Sequence, residues 1–143
     1  MKKMVYPKSY ISSASKTSGK ENEFGIQVGD IFKATWGYDQ TNVNFFQVVA
    51  LAGASSVRVV EVEPPIVKES YGDGGMSVDR IYKISRDILR PTERSVFIKN
   101  NTKGDLKRLT YGYSGEVSFK LDSYAIAKYC EPGNLKVYES WYH

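Results

Sequence analysis

Residues 43–63 read Val43-Asn44-Phe45-Phe46-Gln47-Val48-Val49-Ala50-Leu51-Ala52-Gly53-Ala54-Ser55-Ser56-Val57-Arg58-Val59-Val60-Glu61-Val62-Glu63. Val43 to Leu51 is apolar or aromatic apart from Asn44 and Gln47, which predicts a strand covered on much of both faces. Ala52 to Ser55 is short and small enough to turn the chain back into Ser56 to Glu63, so the two runs should pair as a hairpin. In the second run Val57 and Val59 flank an outward Arg58, but continuing the alternation would send Val60 and Val62 out and Glu61 and Glu63 in. A bulge near Val59 or Val60 is the expected remedy.

The same β signals continue on both sides of this hairpin. Upstream, Val28-Gly29-Asp30 turns into a strand with Phe32, Ala34 and Trp36 on one face and Lys33 and Thr35 on the other. Downstream, Pro64-Pro65 ends the third run, and Tyr71-Gly72-Asp73-Gly74-Gly75 predicts the longest internal loop. Arg80 to Ile84 predicts a strand, and Ser85 to Leu89 a short turn or helical piece closed by Pro91. Ser95 to Lys99 and Leu106 to Tyr113 predict a further hairpin around Asn100 to Gly104. Val117 to Leu121 alternates with period two, and Tyr124 to Tyr129 and Leu135 to Tyr142 flank a Pro132-Gly133 turn. The fold class is therefore all-β: a small antiparallel barrel or two-sheet sandwich of seven to eight short strands, with a meander as the simplest topology. Residues 12–23 lack apolar periodicity, so residues 1–23 are expected to form a flexible N-terminal arm and residues 24–143 one β-rich domain.

Composition limits what such a domain does. The 143 residues include 25% charged and 41% hydrophobic residues, enough to fill one core without staples. Cys130 is the only cysteine, which excludes an internal disulfide and a cysteine-based zinc site and favours a reducing compartment. No apolar run of signal-peptide length follows Met1-Lys2-Lys3, and none approaches a membrane span, so a cytoplasmic location without membrane partners is expected. The formal charge is +4, yet residues 80–110 hold nine bases against Asp87, Glu93 and Asp105, giving +6 there and −2 elsewhere. A local excess of this kind attracts polyanions, although lysines also serve solubility alone.

The densest motif is Thr35-Trp36-Gly37-Tyr38-Asp39-Gln40-Thr41-Asn42-Val43, followed by Phe45-Phe46-Gln47-Val48-Val49. Its polar loop can bond to its own backbone while the rings supply apolar surface. The string resembles the signature of a group of uncharacterised small proteins of bacteriophages, plasmids and integrated elements. The likeness is specific over residues 29–49, and the closing aromatic segment Tyr138 to Tyr142 resembles that group too. It implies a mobile-element origin and no particular chemistry.

Catalytic signals are sparse. His143 is the sole histidine and the last residue, Asp and Glu show no recognisable metal-ligand spacing, and Ser15 to Glu21 lacks the first glycine and the final hydroxyl residue of a phosphate loop. Nothing here calls for a cofactor. Tyrosines next to bases, as in Lys107-Arg108-Leu109-Thr110-Tyr111-Gly112-Tyr113, are what single-stranded nucleic acid platforms use, since a base stacks on a ring while a cation meets phosphate. The same pattern also builds ordinary half-buried strands.

Three functional expectations follow. The first is a non-enzymatic module that binds nucleic acid through Arg90, Arg94, Lys99, Lys103, Lys107, Arg108, Tyr111 and Tyr113. The second is an inhibitor of a host protein such as a defence nuclease, using Trp36, Tyr38, Asp39, Gln40 and Asn42 or the Tyr71 to Gly75 loop, because interfaces favour aromatic anchors with a polar rim. The third is a small-barrel ribonuclease, for which only the Gly29-Asp30-Ile31 strand entry resembles the PemK-like toxins.

Overall fold

The computed structural model describes residues 23–36, 42–92, 104–112, 114–121 and 125–140, leaving aside the side chains of Trp36, Asn42 and Asp73. The arm expected over residues 1–23 lies outside them except for Glu23, and so does the strand expected at Ser95 to Lys99. The described residues form ten strands: β1 (Ile31–Trp36), β2 (Asn42–Leu51), β3 (Ser56–Val62), β4 (Ile66–Gly72), β5 (Ser77–Ile84), β6 (Asp105–Arg108), β7 (Thr110–Tyr111), β8 (Val117–Lys120), β9 (Ile126–Cys130) and β10 (Gly133–Ser140). They form two antiparallel sheets, ordered β6-β3-β2-β1-β9-β8-β7 and β10-β5-β4.

The larger sheet curls into a nearly closed barrel. Its two edge strands, β6 and β7, are consecutive in the chain and are joined through buried Leu109, whose amide donates to Ser55 O at 2.8 Å. The run from Leu106 to Tyr113, expected as one strand, is thus broken at Leu109, pairing first with β3 and then with β8. The β1–β9 ladder, Ile31 opposite Cys130 through Ala34 opposite Ala127, joins the N-terminal and C-terminal parts of the wall.

Two cores explain the sequence pattern. Inside the barrel, Phe32, Phe46, Val48, Val57, Val59, Leu109 and Phe119 pack together, with the rings of Phe32 and Phe119 4.9 Å apart. Between the barrel wall and the smaller sheet, Ile31, Phe45, Val49, Val60 and Val62 meet Tyr82, Ile84 and Val137. This second layer resolves the broken alternation of β3. Val57 and Val59 face the barrel interior while Val60 and Val62 face the other sheet, so β3 needs no bulge. The register shift instead lies on β2, between Val48 and Ala50, where Val49 is the extra residue. It changes the inward phase of β2 from Phe46 and Val48 to Leu51.

Three other readings are refined. The loop expected at Tyr71 to Gly75 shrinks to a short 3-10 turn at Asp73–Gly75, because Lys68 to Gly72 pair with Ile81 to Ser77, and residues 66–72, for most of which the sequence predicts no element, form strand β4. All of β4 is exposed, which removed the apolar alternation by which a strand is recognised. Of the turn or helical piece expected at Ser85 to Leu89, the chain takes the turn, bending at Arg86 and Asp87 without helix. The meander also stops at Pro132: β9 stays in the barrel, whereas β10 crosses to pair with β5 from Gly133 opposite Ile84 to Ser140 opposite Ser77.

Candidate nucleic-acid interface

The structure separates the bases that the sequence places together. Arg90 is exposed in the segment after β5. Lys107 and Arg108 share β6, where consecutive side chains leave on opposite faces. Lys107 stands opposite core residue Val57 and is half-buried, while Arg108 stands opposite Ser56 and is exposed. Tyr111 on β7 is 61% exposed, and its ring is braced by Phe24 at a centroid distance of 4.8 Å. Arg108 and Tyr111 are therefore the exposed cation and ring on this stretch of wall. Arg94, Lys99, Lys103 and Tyr113 lie outside the described residues.

Two other bases of the 80–110 stretch are consumed by internal pairs. The Arg80 Nε donates to Glu69 Oε2 at 2.7 Å and its Nη1 donates to Glu139 Oε1. Burial pulls the Arg80 guanidinium down from its ordinary value, but hydrogen bonds to Glu69, Tyr71 and Tyr82 outweigh burial and hold it above that value. Tyr82, packed beside this group, is pushed up by burial and by the charge of Glu139. Glu139 Oε2 also accepts the Val43 amide at 3.2 Å, so the cluster ties β4, β5 and β10 to the barrel. The crevice here, about 100 Å³, is lined by Asn44, Glu61, Glu63, Arg80, Tyr82 and Glu139 among others.

Arg86 is used in the same way. Its Nε donates to Asp30 Oδ1 at 2.7 Å, while Asp30 Oδ2 accepts the Gln27 amide at 2.8 Å. Gly29, at φ 101°, lies so close beneath this segment that a Cβ there would meet Arg86 O at 2.5 Å. Fully buried Gln47 completes the join, donating to Gly29 O (3.1 Å) and Asp87 O (2.8 Å) and accepting the Leu89 amide (2.9 Å). These two arginines are structural pins. The charge excess counted along residues 80–110 is correspondingly smaller as a surface.

Exposed bases also gather on the smaller sheet. Lys83, counted in the 80–110 excess, is joined there by Lys68 and Lys136, which the sequence alone does not single out; the three come from three different strands, so no local run of sequence displays them together, and Lys68 belongs to β4, a strand not assigned from the sequence. On the barrel wall, Lys33 stands directly opposite Lys128, which lies 3.8 Å from Glu116.

For the second set of candidates, Trp36 and Asn42 pair with each other as the last rung of the β1–β2 ladder. Tyr38, Asp39 and Gln40 lie outside the described residues. Near the other proposed contact loop, Tyr71 and Met76 are exposed, as are Ile66 and Val67 on β4. Among the described residues no group of three or more His, Cys, Asp or Glu is arranged to hold a metal ion, and no helix is long and apolar enough to cross a membrane. No protein-family model, curated protein or solved structure matches the chain.

Proposed function

We propose that the protein is a non-enzymatic, cytoplasmic binding module carried by a phage, plasmid or other mobile element, and that its partner is nucleic acid. The observation that supports this best is that Arg108 on β6 and Tyr111 on β7, the two edge strands joined through Leu109, are both exposed, with the Tyr111 ring held in place by Phe24. A base stacked on an aromatic ring gains energy whatever its identity, and a neighbouring guanidinium meets the backbone phosphate. Binding of this kind is weak in sequence preference and strong in salt dependence.

The test is fluorescence anisotropy with labelled single- and double-stranded oligonucleotides at about 50 mM salt. Affinity is expected to fall steeply toward about 200 mM, with a log-log slope near −0.7 per phosphate contacted on a single strand. A folded sample that binds neither form, even at high micromolar protein, would remove nucleic acid as the partner.

One observation favours a second reading, an inhibitor of a host protein such as a defence nuclease. The β4–β5 hairpin exposes Ile66, Val67, Tyr71 and Met76, and apolar and aromatic side chains of this sort anchor protein interfaces. Capture of a host protein from lysate that survives nuclease treatment and is lost on Tyr71→Ala would move the assignment there.

A further inference from the structure

The smaller sheet has two faces of opposite character. One packs on the barrel through Tyr82, Ile84 and Val137 and carries the Arg80 ion pairs. The other faces solvent, and the register defines it. Lys68 on β4, Ile81 on β5 and Lys136 on β10 stand directly opposite one another in a row across all three strands. Lys83 lies two residues along β5 from Ile81 and so projects from the same face. On the other side of that row, Tyr138 stands opposite Asp79 with its ring 45% exposed.

We infer that this outer face of β4, β5 and β10 is a platform for single-stranded nucleic acid, with Lys68, Lys83 and Lys136 meeting phosphates and Tyr138 stacking a base. The inference rests on the reading of the chain as a nucleic-acid binder and adds a site that the barrel residues do not supply. Charge complementarity is the argument. Strand spacing sets Lys68 and Lys136 about 10 Å apart and Lys83 about 7 Å along the sheet from their row, a triangle of three cations with Asp79 as the acid beside it. No carboxylate among the described residues lies within ion-pair distance of any of the three lysines, whereas Arg80 on the inner face and Arg86 beside the barrel are each matched to an acid. Like charges gathered on one sheet face repel unless an anion offsets them. The strand form follows from the ring: a duplex keeps its base faces stacked inside, so a flat aromatic platform is reached only by unstacked bases.

The experiment uses the full chain and a labelled single-stranded oligonucleotide of about 12 nucleotides, within the site size of one-domain binders. Anisotropy titrations compare wild type, Tyr138→Ala, Tyr138→Phe, the double variant Lys68→Glu with Lys136→Glu, and Arg108→Glu. Tyr138→Ala and the double variant should each weaken binding about tenfold or more, Tyr138→Phe should retain it, and duplex of the same length should bind more weakly. Thermal melts verify folding, and the double variant changes two exposed side chains that touch no core. Unchanged affinity in the sheet variants, with loss in Arg108→Glu, would assign binding to the barrel wall and overturn this inference while sparing the proposed function. Absence of binding by wild type overturns both, and duplex bound as tightly as single strand overturns the single-strand platform alone.

Discussion

Gln47 shows how a single residue joins two parts of this fold. Its amide satisfies three backbone groups, Gly29 O, Asp87 O and Leu89 N, in a place fully shut off from water. Replacing Gln47 with Leu keeps the apolar bulk but strands those groups, at a cost of about 1–3 kcal/mol for each one that finds no substitute partner. The expected result is a lower urea midpoint together with faster amide exchange at Leu89, and an unchanged Leu89 amide would show that the segment holds without Gln47. The residue stood out in the sequence as a polar interruption of an apolar run, but its partners lie 18 and about 40 residues away, beyond the reach of any local pattern. Cys130 is a second residue with a measurable consequence. Burial pushes its thiol up to about 11 from an ordinary value of 9.0, against the opposing charge of Lys33. A raised value in the folded state favours the protonated form, so this contribution is complete below pH 9 and is lost as pH rises toward 11. Stability should therefore decline over that window by up to about 3 kcal/mol, and Cys130→Val should flatten the first part of the decline. Tyr82 and Tyr129, both raised chiefly by burial, add to the loss at higher pH.

At the scale of elements, alternation was legible wherever one face of a strand was wet and the other dry. The strands β1 and β8 follow from the alternation of Phe32, Ala34 and Phe119, and β2 from its continuous apolar run covered on both faces. What failed was the assumption that β3, unlike β2, has only one buried side. Val60 and Val62 face a second sheet, built on β5 and β10 and edged by β4, whose exposed residues give no periodic signal. The strand is held by pairs that sequence separation hides: Arg80 reaches Glu69 eleven residues away and Glu139 fifty-nine away. Among the candidate site residues the same reason applies, since counting bases along residues 80–110 included Arg80 and Arg86, each already matched to an acid. Arg80→Met should cost about 2 kcal/mol, less than a fully buried pair because the side chains retain some exposure, and it leaves two glutamates without their cation. Hydrogen exchange should show the loss concentrated in β4, and partial recovery on adding Glu139→Gln would identify the unpaired charge as the cause. Uniform loss across both sheets would instead mean that β4 depends on the cluster no more than the barrel does.

Over the whole molecule the two cores share their walls, and this makes a prediction about cooperativity. Val48 and Val49, or Val59 and Val60, are neighbours in the chain that enter different cores, so β2 and β3 cannot lose one layer without exposing the back of the other. The interlayer core is centred on Phe45, whose ring lies 4.6 Å from that of Tyr82. Phe45→Ala removes most of that contact and should destabilise by about 3–5 kcal/mol, the range for a large aromatic deleted from a packed interior. Because Phe45 is on β2, whose next residue Phe46 faces the barrel, the loss should shift one transition and not split it in two. Far-ultraviolet circular dichroism and aromatic fluorescence should then follow the same urea curve in wild type and variant. An early phase confined to the smaller sheet, with the barrel melting later, would mean that the layers are separable and that the β1–β9 ladder and Leu109 suffice to hold the barrel alone. The register argues against that outcome, since a barrel stripped of its second sheet would present Ile31, Phe45, Val49, Val60 and Val62 to water as one apolar face, the kind of surface that a folded monomer rarely exposes.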